Sequence, residues 1–266
     1  MDWSRIKTIF IVAFLILDLF LLSQLKAKTE FETKEDPTVE ENLKTDGIDY
    51  SNLPSDHIKD QYLSANTKVF EETVLDTLTD QDAYLLESNT VIYSNLQKPI
   101  SIGEDGDLTK LLQFVKTNVL FGDQYDLWEY NGEAKIVTFY QKVDDKFLFL
   151  NQSGQLVFTL NIDNQVVSYK QTMLDSFDPI SDKEEVLSAF RGVESLYRKG
   201  MIKSESKIVK AELGYYTLVN MEATQVLTPT WRIIVEKDGI RENLLFNAIE
   251  GQIIVVPRGN EKNWSE

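Results

Sequence analysis

Residues 125–170 read YDLWEYNGEAKIVTFYQKVDDKFLFLNQSGQLVFTLNIDNQVVSYK, and this stretch decides the predicted fold. Aromatic and β-branched runs in it are separated by tight-turn dipeptides that recur about every ten residues. The dipeptides are Asn131-Gly132, Asp144-Asp145, Ser153-Gly154 and Asp163-Asn164. Short apolar runs divided by such dipeptides are typical of strands joined by hairpins. The stretch therefore predicts an antiparallel meander.

A helix is predicted before the meander, because apolar residues recur there at helical spacing and Asp107 precedes them as a cap. A further strand is predicted before that helix, at residues 90–93. The apolar positions of the helix are Leu108, Leu111, Leu112, Val115 and Val119.

The same order of elements begins again after the meander. Ser181 and Glu184 have the spacing of a capping box, and Gly200 ends the helix that the box predicts. The apolar face of that helix is Val186, Leu187, Phe190, Val193 and Tyr197. Strands are then predicted at 209–219, 231–236, 241–247 and 252–256, divided by Thr228-Pro229, Asp238-Gly239 and Glu250-Gly251.

This pattern predicts an α+β fold made of two successive units, each with one helix and an antiparallel sheet. We place the first unit at residues 56–175 and the second at 176–266. Both would form an ectodomain, because the chain begins with a predicted membrane anchor.

The predicted anchor is the nearly uninterrupted apolar run at residues 8–25. As a helix, 18 residues extend about 27 Å, close to the roughly 30 Å hydrocarbon core of a bilayer. A cleaved signal peptide is the alternative, but its apolar region is shorter, about 7 to 15 residues. We therefore predict a cytoplasmic amino terminus at 1–5, a single transmembrane helix at 6–25, an acidic stalk at 26–55 and an extracellular body, all in the cell membrane.

Asp18 lies near the middle of this run, where an aspartate costs about 2.5 to 3.5 kcal/mol on insertion scales. It belongs to a stripe with the three-and-four spacing of a helix that packs on another helix. We predict that this stripe binds a partner helix; the alternative is a protonated Asp18 that faces lipid or snorkels. The stripe consists of Ile11, Phe14, Asp18, Leu21 and Leu25.

The composition excludes several kinds of chemistry. The net charge is −16 over 266 residues, which disfavours nucleic acid as a partner. The absence of cysteine removes disulfides, thiolate zinc sites and thiol nucleophiles. The single histidine, His57, lies in a polar stretch and is predicted to be solvated, as Trp128 and Trp231 are predicted to pack in or on the sheet. Residues 103–107 fit an acidic turn better than a calcium loop. We predict a non-enzyme without cofactor or metal.

Motifs along the whole chain resemble the YycI (WalI) family. The most specific is MDWSRIKTIF at 1–10, followed by Ile16-Leu17-Asp18. The others are Ile48-Asp49-Tyr50, Leu53-Pro54, Tyr62-Leu63-Ser64-Ala65, Tyr169-Lys170-Gln171-Thr172, Leu213-Gly214-Tyr215-Tyr216 and Pro229-Thr230-Trp231-Arg232. The resemblance implies a regulator of the WalK (YycG) sensor histidine kinase of Gram-positive bacteria, acting with the sister protein YycH through transmembrane helices and ectodomains.

The second unit also resembles PepSY domains, at residues 231–234 and 246–253. Some PepSY-like modules inhibit proteases. An extracytoplasmic protease inhibitor, a hydrolase and a module that binds a small ligand between the two units therefore remain alternative functions.

Overall fold

A computed structural model describes most of the chain, in two compact units that divide between Asp49 and Tyr50. Among the described residues, the first unit holds two α-helices, and the second holds two α-helices, short 3-10 turns and fifteen strands. The described residues are 3–32, 38–54, 57–103, 106–217 and 224–255.

The first unit contains helix α1 (Trp3–Glu32) and the short helix α2 (Val39–Thr45). A capping box begins α2, because the Thr38 hydroxyl accepts the Glu41 N–H and the Glu41 carboxylate accepts the Thr38 N–H. This helix lies inside the predicted acidic stalk. Among the residues that the structure describes, no helix has a stretch that is both long and apolar enough to cross a membrane. The anchor at 6–25 remains a prediction.

The second unit is built on a large sheet in which strands from both predicted units take part. Its order is β10-β2-β13-β12-β7-β6-β8-β9-β4-β3, with β14 beside β13, β15 beside β14 and β5 beside β6, while β1 and β11 form a separate ribbon. All pairs are antiparallel except β7 with β12. The strands are β1 (Lys59–Asp60), β2 (Leu63–Thr67), β3 (Gln81–Leu86), β4 (Val91–Ser101), β5 (Tyr125–Asn131), β6 (Ile136–Val143), β7 (Lys146–Phe149), β8 (Gln155–Leu160), β9 (Gln165–Gln171), β10 (Leu174–Pro179), β11 (Glu184–Glu185), β12 (Lys207–Thr217), β13 (Thr224–Lys237), β14 (Ile240–Asn247) and β15 (Ile253–Ile254).

Tight turns in the sheet form where their dipeptides predict them. Asp144 and Asp145 both have positive φ, 48° and 60°, and join β6 to β7. Asp238 and Gly239 do the same, at 53° and 77°, between β13 and β14. Two successive positive φ angles are the geometry of a type I′ hairpin turn, which Asp and Gly tolerate best. The meander differs in one respect, because β8 follows β7 along the chain but pairs with β6.

Helix α3 (Thr109–Asn118) confirms the predicted helix, but its N-cap position is Leu108 rather than the predicted Asp107. The Asp107 carboxylate accepts the Thr109 N–H at 2.9 Å and the Thr109 hydroxyl at 2.5 Å. These hydrogen bonds hold the pKa of the Asp107 carboxyl below its usual range. The apolar face of α3 packs into a core through Leu111 and Val115, both buried.

The predicted capping box at Ser181 is wrong. Helix α4 (Ala189–Arg198) begins later, with the Ser188 hydroxyl accepting the Arg191 N–H at 3.3 Å. Ser181 instead accepts the Tyr62 N–H at 3.0 Å, and Glu184 lies in β11, paired with β1. Long-range pairing therefore outweighs the local signature.

The end of α4 is as predicted, at Gly200. Its φ is +69°, its N–H donates to the Tyr197 carbonyl, and the Met201 N–H donates to the Leu196 carbonyl. These two bonds are the Schellman motif, which favours glycine at the left-handed position.

The predicted turn at Thr228-Pro229 is also wrong, because β13 continues through it. Residues 224–227 of β13 pair with β2 and residues 230–237 pair with β14, so Pro229 lies between these two ladders. The Pro229 carbonyl accepts the Ala248 N–H on that same edge. A strand tolerates a proline where no ladder bond needs its missing N–H.

The second unit contains at least two apolar clusters, besides further buried residues such as Val193, Ile233 and Phe246, and the α+β class of the prediction is confirmed. One lies under α3 and includes Phe139, Phe158 and Tyr169. The other joins β2, β7, β10, β12 and β13 through Leu63, Ala65, Leu148, Leu174, Tyr215 and Leu227. The predicted boundary between residues 175 and 176 remains a prediction.

Candidate functional site

The predicted stripe lies on helix α1, which is continuous from Trp3 to Glu32. At 3.6 residues per turn, this helix brings the five positions of the stripe to one face. Ile11, Phe14 and Leu21 are each more than half exposed, and Asp18 is exposed. The side chain of Leu25 lies outside the described residues. The role of the stripe in binding a partner remains a prediction.

A polar group in the second unit, the Asp60 cluster, consists of the buried Asp60 and Tyr215 with the partly buried Gln61 and Lys146. Asp60 is only 2% exposed. Its carboxylate accepts the Tyr215 hydroxyl at 2.7 Å, the Lys146 ammonium at 2.8 Å and the Gln61 N–H at 2.9 Å. The Lys146 Nζ also lies 5.5 Å from the centre of the Tyr215 ring. The buried charge is therefore paired and supplied with three donors, as burial requires.

Short strands position this cluster. Asp60 lies in β1, which pairs with β11 through Lys59 with Glu185 and Asp60 with Glu184. Lys146 begins β7 and Tyr215 lies in β12, and these two strands are the parallel pair of the sheet. The cluster therefore connects the first strand after residue 50 to the two central strands.

Backbone bonds add to this connection on both sides of the cluster. The Val186 N–H donates to the Ile58 carbonyl at 3.0 Å, and the Ile180 N–H donates to the Tyr62 carbonyl at 3.0 Å. Strand β2 continues the same segment and lies between β10 and β13. The beginning of the second unit is thus fixed to its later half.

The electrostatics of the cluster favour a structural role. Burial raises the pKa of the Tyr215 hydroxyl, and its hydrogen bond to Asp60 raises it further. The phenol therefore stays protonated, and its O–H donates a hydrogen bond to the carboxylate. The side chains of Asp60, Lys146 and Tyr215 bond to one another. This arrangement stabilises the contact between strands and differs from that of a general base, which must reach a bound substrate.

A second polar contact lies between β5 and the β12–β13 pair. The Arg232 guanidinium donates to Glu212 at 2.6 Å and to Asn243 at 2.9 Å, and its Cζ lies 3.7 Å from the Trp128 ring centre. Burial lowers the pKa of Arg232, and Glu212 opposes that shift. An arginine stacked on tryptophan and paired with a carboxylate fixes these strands side by side.

The other predicted side chains behave as expected. Trp231 is buried, and its indole N–H donates to the Leu187 carbonyl at 2.7 Å. Trp128 packs on the rings of Tyr140, Phe147 and Phe149. His57 is 89% exposed, with Nδ1 2.6 Å from a Glu185 carboxylate oxygen.

The structure also bears on metal binding. Within the described part of the chain, no group of three or more His, Asp or Glu side chains is arranged to hold a metal ion. Glu104 and Asp105, which belong to the predicted acidic turn, lie outside the described residues.

Sequence reasoning did not find the Asp60 cluster or the Arg232 contact. Their members are separated by up to 155 residues in the chain. The available local signal was weak, since Asp60 follows a polar stretch that resembles an exposed loop. The pairing of β1 with β11 and of β7 with β12 brings the Asp60 cluster together, and the pairing of β12 with β13 places Glu212 opposite Arg232.

Comparison with known structures gives distant similarities. An uncharacterized protein from Eubacterium rectale aligns with a TM-score of 0.42 and 8% identity, over 79% of this chain and 89% of that one. The Bacillus megaterium YpeB C-terminal domain aligns with a TM-score of 0.41 and 12% identity, over 77% of this chain and 88% of that one. YycH from Bacillus subtilis aligns with a TM-score of 0.42 and 12% identity, over 79% of this chain and 61% of that one.

The comparison with sequence families gives a clearer result. No curated protein matches the chain. The sequence model of the family described as YycI protein, by contrast, matches residues 28–249, which is most of the chain and nearly all of the second unit. The chain therefore belongs to the YycI family.

Proposed function

We propose that the chain is a membrane-anchored, extracytoplasmic regulator of the WalK (YycG) sensor histidine kinase that acts together with a YycH-type sister protein. The observation that carries this proposal is the family match over residues 28–249. Membership of the YycI family fits regulation of the WalK two-component system. The Asp60 cluster agrees with it, because its buried groups hold strands together rather than facing a substrate.

The proposed anchor is the apolar run at residues 8–25, with the amino terminus in the cytoplasm and the second unit outside the cell. Helix α1 encloses the whole run. The run is followed by the acidic residues of the stalk, of which Glu40 and Glu41 lie in the first turn of α2. A large acidic unit after a single short apolar segment is compatible with export of the carboxyl-terminal side.

Affinity capture of the full-length chain from the membranes of its host tests the regulatory proposal. The kinase and the sister protein are expected among the captured proteins, identified by mass spectrometry. Capture of neither would contradict the proposal. Capture of a secreted protease in their place would favour the PepSY-like inhibitor.

The stripe on α1 gives the proposed contact within the membrane. The change Asp18→Leu removes a carboxyl that can hydrogen-bond across helices, a contribution of about 0.6 kcal/mol on average and up to about 1.7. Capture of the kinase or the sister protein is therefore expected to fall several-fold. Asp18→Asn is expected to retain more, because an amide still donates and accepts hydrogen bonds.

Two phenylalanines supply a matched control for the stripe. Phe14 belongs to it, whereas Phe20 lies on a different face of α1, since six residues turn a helix by about 240°. Phe14→Ala is expected to weaken capture and Phe20→Ala is not, at equal expression. Equal effects of both changes, or none of Asp18→Leu, would place the partner contact outside this stripe.

A further inference from the structure

Strand β3 is an edge of the sheet with unpaired backbone groups. Among the described strands it pairs only with β4. The Gln97 N–H donates to the Asp80 carbonyl at 3.0 Å, which fixes the alternation of the antiparallel ladder. Residues 82, 84 and 86 therefore bond to β4. The N–H and C=O groups of Gln81, Ala83 and Leu85 face away from it.

Other edges of the sheet carry features that hinder the addition of another strand. Register shifts interrupt the edge strands β5 and β10, and β10 ends at Pro179. Strand β15 has two residues and covers part of β14, whose remaining edge holds Arg241 and Glu242. Strand β3 pairs without a register shift over six residues. Its one charged residue is Asp82. Proteins commonly protect such edges, and a regular edge is a template for another strand.

The side chains around this edge indicate the chemistry of its occupant. Tyr84 and Leu86 are exposed on one face, and the Tyr84 ring lies 5.2 Å from that of Tyr93 on β4. Residues 69–97 contain no lysine or arginine. The acidic residues in this segment are Glu71, Glu72, Asp76, Asp80, Asp82 and Glu87, of which Glu87 is paired with Lys170 of β9 at 3.1 Å.

We propose that the β3 edge binds an extended segment of another protein that carries lysine or arginine and adds to the sheet as a further strand. Backbone hydrogen bonds to Gln81, Ala83 and Leu85 supply the attachment, and the acidic surroundings select the charge of the partner. A second copy of this chain fits poorly, because its β3 edge would bring the same acids together. This surface involves no residue of α1. A negative result for the β3 edge would therefore leave the proposed regulation of WalK unaffected.

Site-specific photocrosslinking tests the proposal in the full-length chain in host membranes. The probe is p-benzoylphenylalanine in place of Tyr84, a similar exposed ring. Its control is the same probe in place of Leu127, on the bulged edge β5. Position 84 is expected to crosslink another protein through an extended segment that contains lysine or arginine, at a yield at least about fivefold above position 127.

Matched variants separate backbone pairing from proximity. Ala83→Pro removes an outward N–H without removing a bond to β4, and Ala83→Ser keeps that N–H. The yield is expected to fall about fivefold or more only with proline. The surface pair Asp76→Lys and Asp82→Lys is expected to lower it similarly. The equal charge change at Glu133→Lys and Asp163→Lys, in hairpin turns elsewhere, is expected to leave it unchanged.

Hydrogen exchange gives a second readout that does not depend on crosslinking chemistry. In membranes with the partner bound, the amides of Gln81, Ala83 and Leu85 are expected to gain protection, while those of residues 82, 84 and 86 are already protected by β4. Crosslinks only to a second copy, crosslinks to an acidic or helical segment, a yield no higher than at Leu127, or no alternation in protection would each overturn the proposal.

Discussion

At the scale of single residues, the Asp60 carboxylate connects three parts of the second unit. Asp60→Asn keeps the size of the side chain but leaves the Lys146 ammonium without its counter-charge. Loss of one partner of a fully buried pair costs about 3 to 5 kcal/mol. Lys146 is 27% exposed, so we expect about 2 to 3 kcal/mol, measured by urea unfolding of the full-length chain in detergent.

Glu185→Gln supplies the control for this prediction. Glu185 lies on the neighbouring strand β11, and its carboxylate pairs with the exposed His57. Exposed ion pairs contribute about 1 kcal/mol or less. Equal losses for Glu185→Gln and Asp60→Asn would mean that the β1–β11 ribbon, rather than the buried charge, determines the stability of this region.

Tyr169 predicts a dependence of stability on alkaline pH. Its hydroxyl is buried and makes no hydrogen bond of regular geometry among the described residues. Burial raises its pKa to about 12, and the neighbouring Ser94 hydroxyl opposes that shift. The unfolded pKa is about 10, so the folded state holds the proton more tightly. The contribution of Tyr169 to the free energy of unfolding is constant below pH 10. It is lost between pH 10 and 12, at up to about 1.4 kcal/mol per pH unit.

The variant Tyr169→Phe is expected to remove this contribution, so that the free energy of unfolding falls less steeply with pH above pH 10. At pH 8 it is expected to leave the free energy of unfolding unchanged or slightly higher, since it deletes an unsatisfied buried hydroxyl. Urea midpoints at pH 8, 10 and 11 measure both effects, with Tyr84→Phe as the exposed control. An unchanged slope above pH 10 would contradict the assignment.

At the scale of elements, the contact between β7 and β12 depends on Gly214. A Cβ at this position would lie 2.5 Å from the Phe149 ring and 2.6 Å from the Phe147 carbonyl oxygen. The backbone oxygen cannot move without moving β7. Gly214→Ala is therefore expected to cost about 2 to 3 kcal/mol of unfolding free energy, in the range known for overpacked cores.

Gly132→Ala is the matched control, in the loop between β5 and β6. A Cβ there would meet only the Tyr130 side chain, at 3.4 Å, an ordinary contact. Its cost is expected to stay below about 0.5 kcal/mol, as for most surface changes. Similar urea midpoints for the two variants would show that β7 and β12 can separate at little cost.

The elements that the sequence predicted correctly are those fixed by near neighbours. The turns at Asp144 and Asp238 need residues that tolerate positive φ, and helix α3 begins two residues after Asp107, whose carboxylate accepts the Thr109 N–H. The errors occur where distant strands decide the outcome. Ser181 has the local spacing of a capping box, yet its hydroxyl accepts the Tyr62 N–H, 119 residues away in the chain. Pro229 remains in β13 because two partner strands meet there.

At the scale of the whole molecule, the sequence predicted α+β and an antiparallel meander but not how the strands combine. Strand β2 precedes the meander in the chain, yet it pairs with β13, and β7 pairs not only with β6 inside the meander but also with β12. Such pairings depend on contacts far apart in the chain, which hydrophobic periodicity does not encode. The only site predicted from the sequence was the stripe on α1. The Asp60 cluster could not be predicted, because its residues come together only through such long-range pairings.

The fragment 50–266 is expected to fold without α1 and to unfold in one cooperative transition. One hydrogen-bonded path of strands runs from β10 to β3, and the cluster that includes Leu63 and Leu227 joins early strands to late ones. Calorimetric and van't Hoff enthalpies that agree, with coincident fluorescence and circular dichroism transitions, would establish this. Two separate transitions would instead support independent units at 56–175 and 176–266, and would show that the β7–β12 contact and the Asp60 cluster couple them only weakly.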